Sequence, residues 1–452
     1  MADTQTLSCA VHGESTRLTC VDCGQPICPK CMTRTEVGLK CYPCAAPAGA
    51  PAGATPNRRR SLLLVAVGIS AMVALAAVLL LRPSSSEPGQ PALPTPVGTW
   101  ADAPDPGGIR GTATAVVLED GTVLAAGGGV NALAVPATAA FDPAGDAWRE
   151  LAPMGAARRG HQAVLLTDGR VLVAGGLADG VPLASAEVYD PGSAAWSAVA
   201  PMSVPRLGHS LTVLNDGRVL AAGGSSAEGQ EATVAELFDP AAGTWRPTGP
   251  LSTPRFEHTA TRLRDGRVVM AGGLGPAVNG LAAPLASTEI YDPAANIFVG
   301  ATEMATGRSN HAAVLLGDNA VVVSGGLGGE AGDQSLASSE VFDVRAGTWT
   351  TSAPLGAARS GHTATALDDG RVLVAGGESV QRGSRRSLTS AEVFNFETGP
   401  TGQWGPAGDM SCARSEQAAV LLPDGSVLVV AGDAAFPGQA PIAQSCTERY
   451  VP

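Results

Sequence analysis

Aromatic residues are scarce, 4% of the 452 positions, so each ring's placement carries information. Lysine is nearly missing: Lys30 and Lys40 stand near the N-terminus and Arg serves alone elsewhere. With the excess of Ala and Gly, this composition suggests a GC-rich bacterial genome. There is no Gly-x-Ser-x-Gly elbow, no His-Glu-x-x-His and no phosphate loop. Gly326-Leu327-Gly328 has the glycine spacing of a dinucleotide loop, but no helical pattern follows it. Basic surface is also lacking. Lys and Arg number 29 against 41 Asp and Glu, a net charge of −12, which excludes affinity based on phosphate neutralisation and hence nucleic acid as a partner.

Only one long apolar run exists. Residues 61–81 are uncharged over 21 positions, and as a helix they would span roughly 30 Å, the thickness of a bilayer core. Arg58, Arg59 and Arg60 precede the run and Arg82 alone follows. The positive-inside rule then predicts a single-pass protein of the cell membrane, ringed by lipid, with the N-terminus cytoplasmic and the rest periplasmic or extracellular. A cleaved signal peptide would have a shorter apolar core nearer the start. Residues 46–60, a Pro/Ala/Gly linker with a basic flank, and the Pro/Ser-rich residues 82–97 read as unstructured spacers.

Seven of the nine cysteines and one His crowd into residues 1–45 as Cys9-x2-His12, Cys20-x2-Cys23, Cys28-x2-Cys31 and Cys41-x2-Cys44. Eight ligands in four pairs suffice for two tetrahedral Zn²⁺ sites. So short a segment with few large apolar side chains cannot build a core, and metal would supply its folding energy. A disulfide cluster is the alternative, but it needs an oxidising compartment. The head resembles the B-box-type zinc finger. That resemblance implies that Cys9, His12, Cys28 and Cys31 share one ion, and Cys20, Cys23, Cys41 and Cys44 the other; sequential pairing is the alternative. B-boxes usually carry His in the last pair, where this chain has Cys41 and Cys44. Sites filled by protein ligands are structural, so the head is expected to bind a cytosolic partner.

From residue 98 to residue 452 one pattern repeats seven times: an apolar strand, Asp-Gly, a second strand ending in Gly-Gly, then Glu-x-Tyr/Phe-Asp and a Trp. The diglycines are Gly127-Gly128, Gly175-Gly176, Gly223-Gly224, Gly272-Gly273, Gly325-Gly326 and Gly376-Gly377, with a worn copy at Ala431-Gly432. A period near 50 residues built of four short strands predicts an all-β propeller. Asp-Gly, or Asp318-Asn319 in the fifth copy, reads as a two-residue type I′ turn. The last repeat ends without its Trp strand, whereas Gly98-Thr99-Trp100 is a fourth strand with nothing before it. Joining the two closes a ring of seven blades.

Diglycine, Tyr/Phe-Asp and Trp at these distances resemble the kelch repeat, which implies a seven-bladed propeller used mostly as a binding platform, with a minority of enzymes. Within it, Arg-x-x-His recurs as Arg158/His161, Arg206/His209, Arg255/His258, Arg308/His311 and Arg359/His362, and becomes Arg414/Gln417 in the last repeat. Strand-three Glu recurs as Glu187, Glu236, Glu289, Glu340, Glu392 and Glu448. The first repeat has Gly108 for the Arg and Ala140 for the Glu. Their joint loss points to an Arg–Glu bridge inside each blade. A metal ring of the five His around the central channel is the competing use. Cys412 and Cys446, both in the last blade, are placed for a disulfide.

The loops after each diglycine vary in length and share one face, where a protein or cell-surface ligand is expected to bind. Arg382, Arg385 and Arg386 make a basic spot there. Copper-radical kelch oxidases resemble this propeller in blade number, but their chemistry needs a Tyr crosslinked to Cys, a second Tyr and two His. Here Tyr189, Tyr291 and Tyr450 all belong to the strand-three motif. The expectation is therefore a membrane-anchored binding or scaffold protein and not an enzyme. The alternative is a propeller enzyme, carbohydrate oxidase-like or hydrolase, with a site built from loops.

Overall fold

In the computed structural model, residues 97–452 are described except 110, 131–132, 227–231, 277–281, 319, 397–400 and 440; before them only the strands Leu7–Ser8, Ser15–Thr16, Met32–Thr35 and Gly38–Cys41 are described. The chain divides into two units, Met1–Ala92 and Leu93–Pro452. In the first, Leu7–Ser8 pairs with Ser15–Thr16 and Met32–Thr35 with Gly38–Cys41, both antiparallel. The proposed membrane span, residues 61–81, lies outside the described residues. Among the described residues no helix is long and apolar enough to cross a membrane.

The second unit is built from the repeat. In blade 2, Gln162–Leu165, Val171–Ala174, Ala186–Asp190 and Ala195–Val199 form an antiparallel sheet in chain order. The turn at Asp168-Gly169 differs from expectation. Only Gly169 has positive φ (82°), and the loop is closed by Gly169 N–H to Leu166 O (3.1 Å) and Leu166 N–H to Arg170 O (2.7 Å). This is the three-residue hairpin loop with a left-handed Gly, not the two-residue I′ turn, which needs two positive φ values. Asp168 accepts the Arg170 N–H (3.2 Å), which is why Asp precedes that Gly.

Six further four-stranded blades follow the same order, the sixth enlarged by Glu378–Gln381 and by two 12-residue strands, Ser384–Asn395 and Gln403–Arg414. Blade 7 is Ala418–Leu421, Val427–Val430, Thr447–Val451 and, from the other end of the unit, Thr99–Ala103. The N-terminal strand thus completes the last blade, as expected. An all-β, seven-bladed propeller results.

Its core lies between the blades. Second strands are buried except at Ala320 of blade 5, and each apolar cluster joins two neighbours: Phe238 of blade 3 packs with Leu172 and Val188 of blade 2, Phe141 of blade 1 with Leu428 and Val430 of blade 7. The scarce aromatics are spent at these seams. Every strand-three Tyr or Phe meets the ring of strand four at 4.9–5.2 Å between centroids, as in Tyr189–Trp196 and Tyr450–Trp100.

Candidate functional site

Six Arg side chains, Arg158, Arg206, Arg255, Arg308, Arg359 and Arg414, are 0% exposed. Each meets the strand-three Glu of its own blade at 2.5–2.8 Å. In blade 2, Arg158 also donates to Gly175 O (2.9 Å) and Ser185 O (3.1 Å), while Glu187 accepts the Gly155 and Ala156 N–H groups (2.6 and 3.0 Å). The pair ties the second strand, the variable loop and the inter-blade strap into one hub. The bridge expected from sequence is present, but its missing copy sits elsewhere. Gly432 N–H bonds Gly111 O as Gly377 N–H bonds Arg414 O, and Ala139 pairs with Ala125 as Glu187 pairs with Val173. Gly111 and Ala139, rather than Gly108 and Ala140, hold the vacant hub positions of blade 1.

The five propeller His are blade-to-blade contacts. A ring nitrogen of His161 shares a hydrogen bond with Thr114 of blade 1 (2.9 Å), and His258, His311 and His362 do likewise with Ser210, Thr259 and Ser324 (3.0, 2.9 and 3.0 Å). Burial, and then the adjacent Arg, hold His161, His258 and His362 at about 3 and His311 well below its ordinary value. These imidazoles are neutral. Among the described residues no three His, Cys, Asp or Glu come together as a metal-ligand set, and four of the five His bond across to a neighbouring blade.

The His also explains the diglycine. A Cβ on Gly175 would lie 2.5 Å from His209 Cε1 and 2.7 Å from Arg206 O of the next blade, and φ there is +66°. Blade 7 alone carries Ala at this position, Ala431, at φ 60°. Its neighbour, blade 1, has no His, so the methyl group fits.

The residue immediately before the His lines the mouth of the central channel, on the variable-loop face. It is left-handed in blades 2 to 7: Gly160, Gly208, Glu257, Asn310, Gly361 and Glu416, with φ from 49° to 65°. A chain of N–H···O bonds runs around the mouth through Glu257 to Gly208 (2.8 Å), Asn310 to Glu257 (2.9 Å), Gly361 to Asn310 (3.0 Å) and Glu416 to Gly361 (2.7 Å). Three blades accept the strain of a non-Gly residue there and gain a polar side chain at a cavity of about 410 Å³.

Asn310 Nδ2 donates to Glu416 Oε1 (2.6 Å) across blade 6. The crossing passes over Gly361, where a Cβ would come within 2.5 Å of the same oxygen. Burial, then the charge of Glu416, push the Glu257 carboxyl up to about 7, against the pull of Arg385. Burial also raises Glu416, opposed by its bond from Asn310, although the side chain opens to channel water. Asp433, at the same cavity, is raised by burial and drawn down by Arg159. Two coupled carboxyls, one near neutrality, can take up and release a proton at a small polar molecule.

Of the residues singled out from sequence, Cys9, His12, Cys20, Cys23, Cys28, Cys31 and Cys44 lie outside the described residues, and Cys41 is placed only as the end of its strand. Cys412 and Cys446 form the expected disulfide. Glu257, Asn310, Glu416 and Asp433 were not singled out. The signal available was the break in Arg-x-Gly-His, where Glu or Asn replaces the Gly.

Seven four-stranded blades, diglycine hairpins and the Arg–Glu hub define a kelch-type propeller. The Kelch motif matches residues 158–203, one blade, and supports a binding or scaffold role. No curated protein matches the chain. Among solved structures, the chain is similar to a fungal alcohol oxidase of the AA5 family in complex with copper, with a TM-score of 0.64 and 19% identity over 79% of this chain and 76% of that one. At that identity the likeness shows the fold. It nonetheless overturns the expectation that this propeller is not an enzyme, because the same architecture carries an oxidase. The residues here do not fit a copper site among those described. Tyr189, Tyr291 and Tyr450 are spent at blade seams, Cys412 is bound to Cys446, and the channel His are neutral packing groups.

Proposed function

We propose that the propeller is a small-molecule enzyme domain of the acid–base kind, hydrolytic or isomerising, with its site at the channel mouth. Glu257 takes and returns the proton, Glu416 supplies the charge that tunes it, and Asn310 positions Glu416. The observation that carries this reading is the left-handed backbone at Glu257, Asn310 and Glu416, where Gly serves in the other three of these blades. Strain held at a few positions around a cavity marks function better than packing. Screening the full chain against small esters, lactones, amides and epimerisable sugars tests it. Glu257→Gln should lower kcat/KM by roughly 10²–10⁴ with unchanged fold. Turnover that survives both Glu257→Gln and Glu416→Gln, or none on any of these substrates, overturns it.

A second reading has its own observation. Leu133, Val181, Phe436 and Ile442 are 40–62% exposed on the variable loops of blades 7, 1 and 2. They offer an apolar crest to a protein partner beside the channel, and Val181→Asp with Ile442→Asp should abolish its capture. On sequence pattern we also assign two structural zinc ions to the head and a membrane crossing to residues 61–81. Metal analysis of the full chain should give two zinc ions, and alkaline carbonate should leave the protein in the membrane fraction.

A further inference from the structure

The variable loops, residues 129–136, 177–183, 225–233, 274–286, 327–337, 378–390 and 433–445, contain no Lys, and their only Arg residues are Arg382, Arg385 and Arg386, all in blade 6. On a chain of net charge −12, such a concentration of cations sets one place apart. The loop that carries them is also built differently. Glu378–Gln381 and the start of Ser384–Asn395 pair at four positions, whereas the loops of blades 1, 2, 5 and 7 pair at two. Arg382 and Gly383 close the hairpin with φ of 50° and 80°, the two positive values of a type I′ turn. Asn, Asp or Gly usually opens such a turn, so a long Arg is held there against backbone preference.

The hairpin is fixed from both sides. Ser335 of blade 5 donates to Glu378 O (3.0 Å) and accepts the Val380 N–H (2.8 Å). Ser387 donates its N–H to Ala435 O of blade 7 (2.9 Å) and accepts the Ala435 N–H on Oγ (2.8 Å). Strand alternation then separates the neighbours Arg385 and Arg386. Arg385, opposite Val380, pairs with Glu378 at 2.9 Å. Arg386, opposite Ser379, shares the other face with Gln381 and Ser384. That face and Arg382 line a cavity of about 850 Å³, joined by Asp333 and Gln334 of blade 5. Arg382 and Arg386 are exposed, and neither has a hydrogen-bond or ion-pair partner among the described residues.

We propose that this cavity binds a sugar acid, a polyhydroxylated carboxylate, either free or as a uronate unit of a polysaccharide. Arg382 and Arg386 take the carboxylate through their guanidinium forks. Two guanidiniums against the single carboxylate of Asp333 leave one positive charge in excess, which balances a monoanion and not a phosphate dianion. Ser379, Ser384, Gln334 and Gln381 each donate and accept, which suits the ligand's hydroxyls. No aromatic ring lines the cavity among the described residues, so a nucleobase finds no stacking surface and the sugar is gripped by its edges. Affinity is then of about millimolar order. The inference goes beyond the proposed function: no residue lines both this cavity and the channel mouth, so either reading can fail alone.

Calorimetric titration of the full chain with glucuronate, and with glucose as its neutral counterpart, tests this. Glucuronate should saturate with a Kd of about 1 mM and bind about tenfold or more tighter than glucose. Arg382→Gln and Arg386→Gln should each weaken it about tenfold. Melting temperature should not change, since both side chains are exposed. Arg385→Gln, on the opposite face, should alter affinity by about twofold or less. A glucuronate trimer that binds about tenfold tighter than the monomer assigns the site to a polysaccharide, and equal affinity assigns it to the free acid; both support the inference. Equal binding of glucose and glucuronate, no saturation up to about 50 mM, or saturation indifferent to both Arg382→Gln and Arg386→Gln would overturn it. So would a tetraglutamate peptide that binds tighter than either saccharide, because the hairpin would then be a docking point for an acidic protein segment.

Discussion

Two sets of glutamates stand out in this propeller, one buried inside the blades and one open to the channel, and they keep different company. Each strand-three Glu, such as Glu236, faces an Arg at 2.8 Å and accepts a backbone N–H at 2.9 Å. Glu257 feels the charge of another carboxylate, Glu416, and has no such partner among the described residues. The first arrangement serves the fold, because a paired charge inside a blade locks strand, loop and strap. The second is maintained against its own electrostatics, and left-handed backbone is maintained with it. Repetition separates the two: what every blade needs recurs, and what a site needs occurs in two or three blades.

The largest expected effect breaks the first set. Arg206→Ala leaves Glu236 buried and unpaired and should cost about 3–5 kcal/mol, read as a lower urea midpoint. Gly175→Ala, at the seam beside that hub, should be of similar severity, since its Cβ meets backbone that cannot retreat. Next, reducing Cys412–Cys446, which are 34 residues apart, should cost about 2–4 kcal/mol and lower the melting temperature.

The second set should behave in the opposite way. Because the folded pKa of Glu257 lies above its unfolded value, the native state holds more protons between about pH 4.5 and 7. Stability from this group is therefore lost as pH rises through that window. Glu257→Gln should flatten the decline, melting higher than wild type near pH 8 and equal to it near pH 4. Equal melting at both pH values would place Glu257 with ordinary solvated carboxylates. The smallest effect sharpens the contrast between blades: Ala431→Gly removes a left-handed Ala and should change stability by about 1 kcal/mol or less, in the stabilising direction.

Much of the fold was legible because it recurs. Gly175 with its five full copies, Trp196 with its five counterparts and the stray Trp100 strand define blades, seams and closure. Arg158 and Glu187 were readable as a pair because they recur together in six repeats, while Gly111 and Ala139 stand at the two hub positions of blade 1. Its vacancies were misplaced because one residue fewer separates the hub from the first strand there (Gly111 to Thr114, against Arg158 to Gln162), a slip that spacing alone conceals. The site was not legible for the converse reason. Glu257 and Glu416 are 159 positions apart and each replaces a Gly once, so a reading that weights repetition passes over them. The same weighting produced the exclusion of catalysis. Motifs such as a nucleophile elbow report sites made by one local segment, and they say nothing of a site to which each blade contributes one residue.

Closure by Thr99–Ala103 also sets a timetable. This strand pairs with Thr447–Val451, so Thr99 waits for Val451, 352 residues later. At about 5–20 residues per second the ribosome needs roughly 20–70 s to deliver that partner. Throughout that interval blades already made have no closed ring to join, and the edge that will receive the last strand stays open to any passing β-strand. Birth of this propeller is thus an all-or-nothing event decided by the codons for Thr447–Val451, and a nascent chain that stalls just short of them is a candidate for chaperones and proteases.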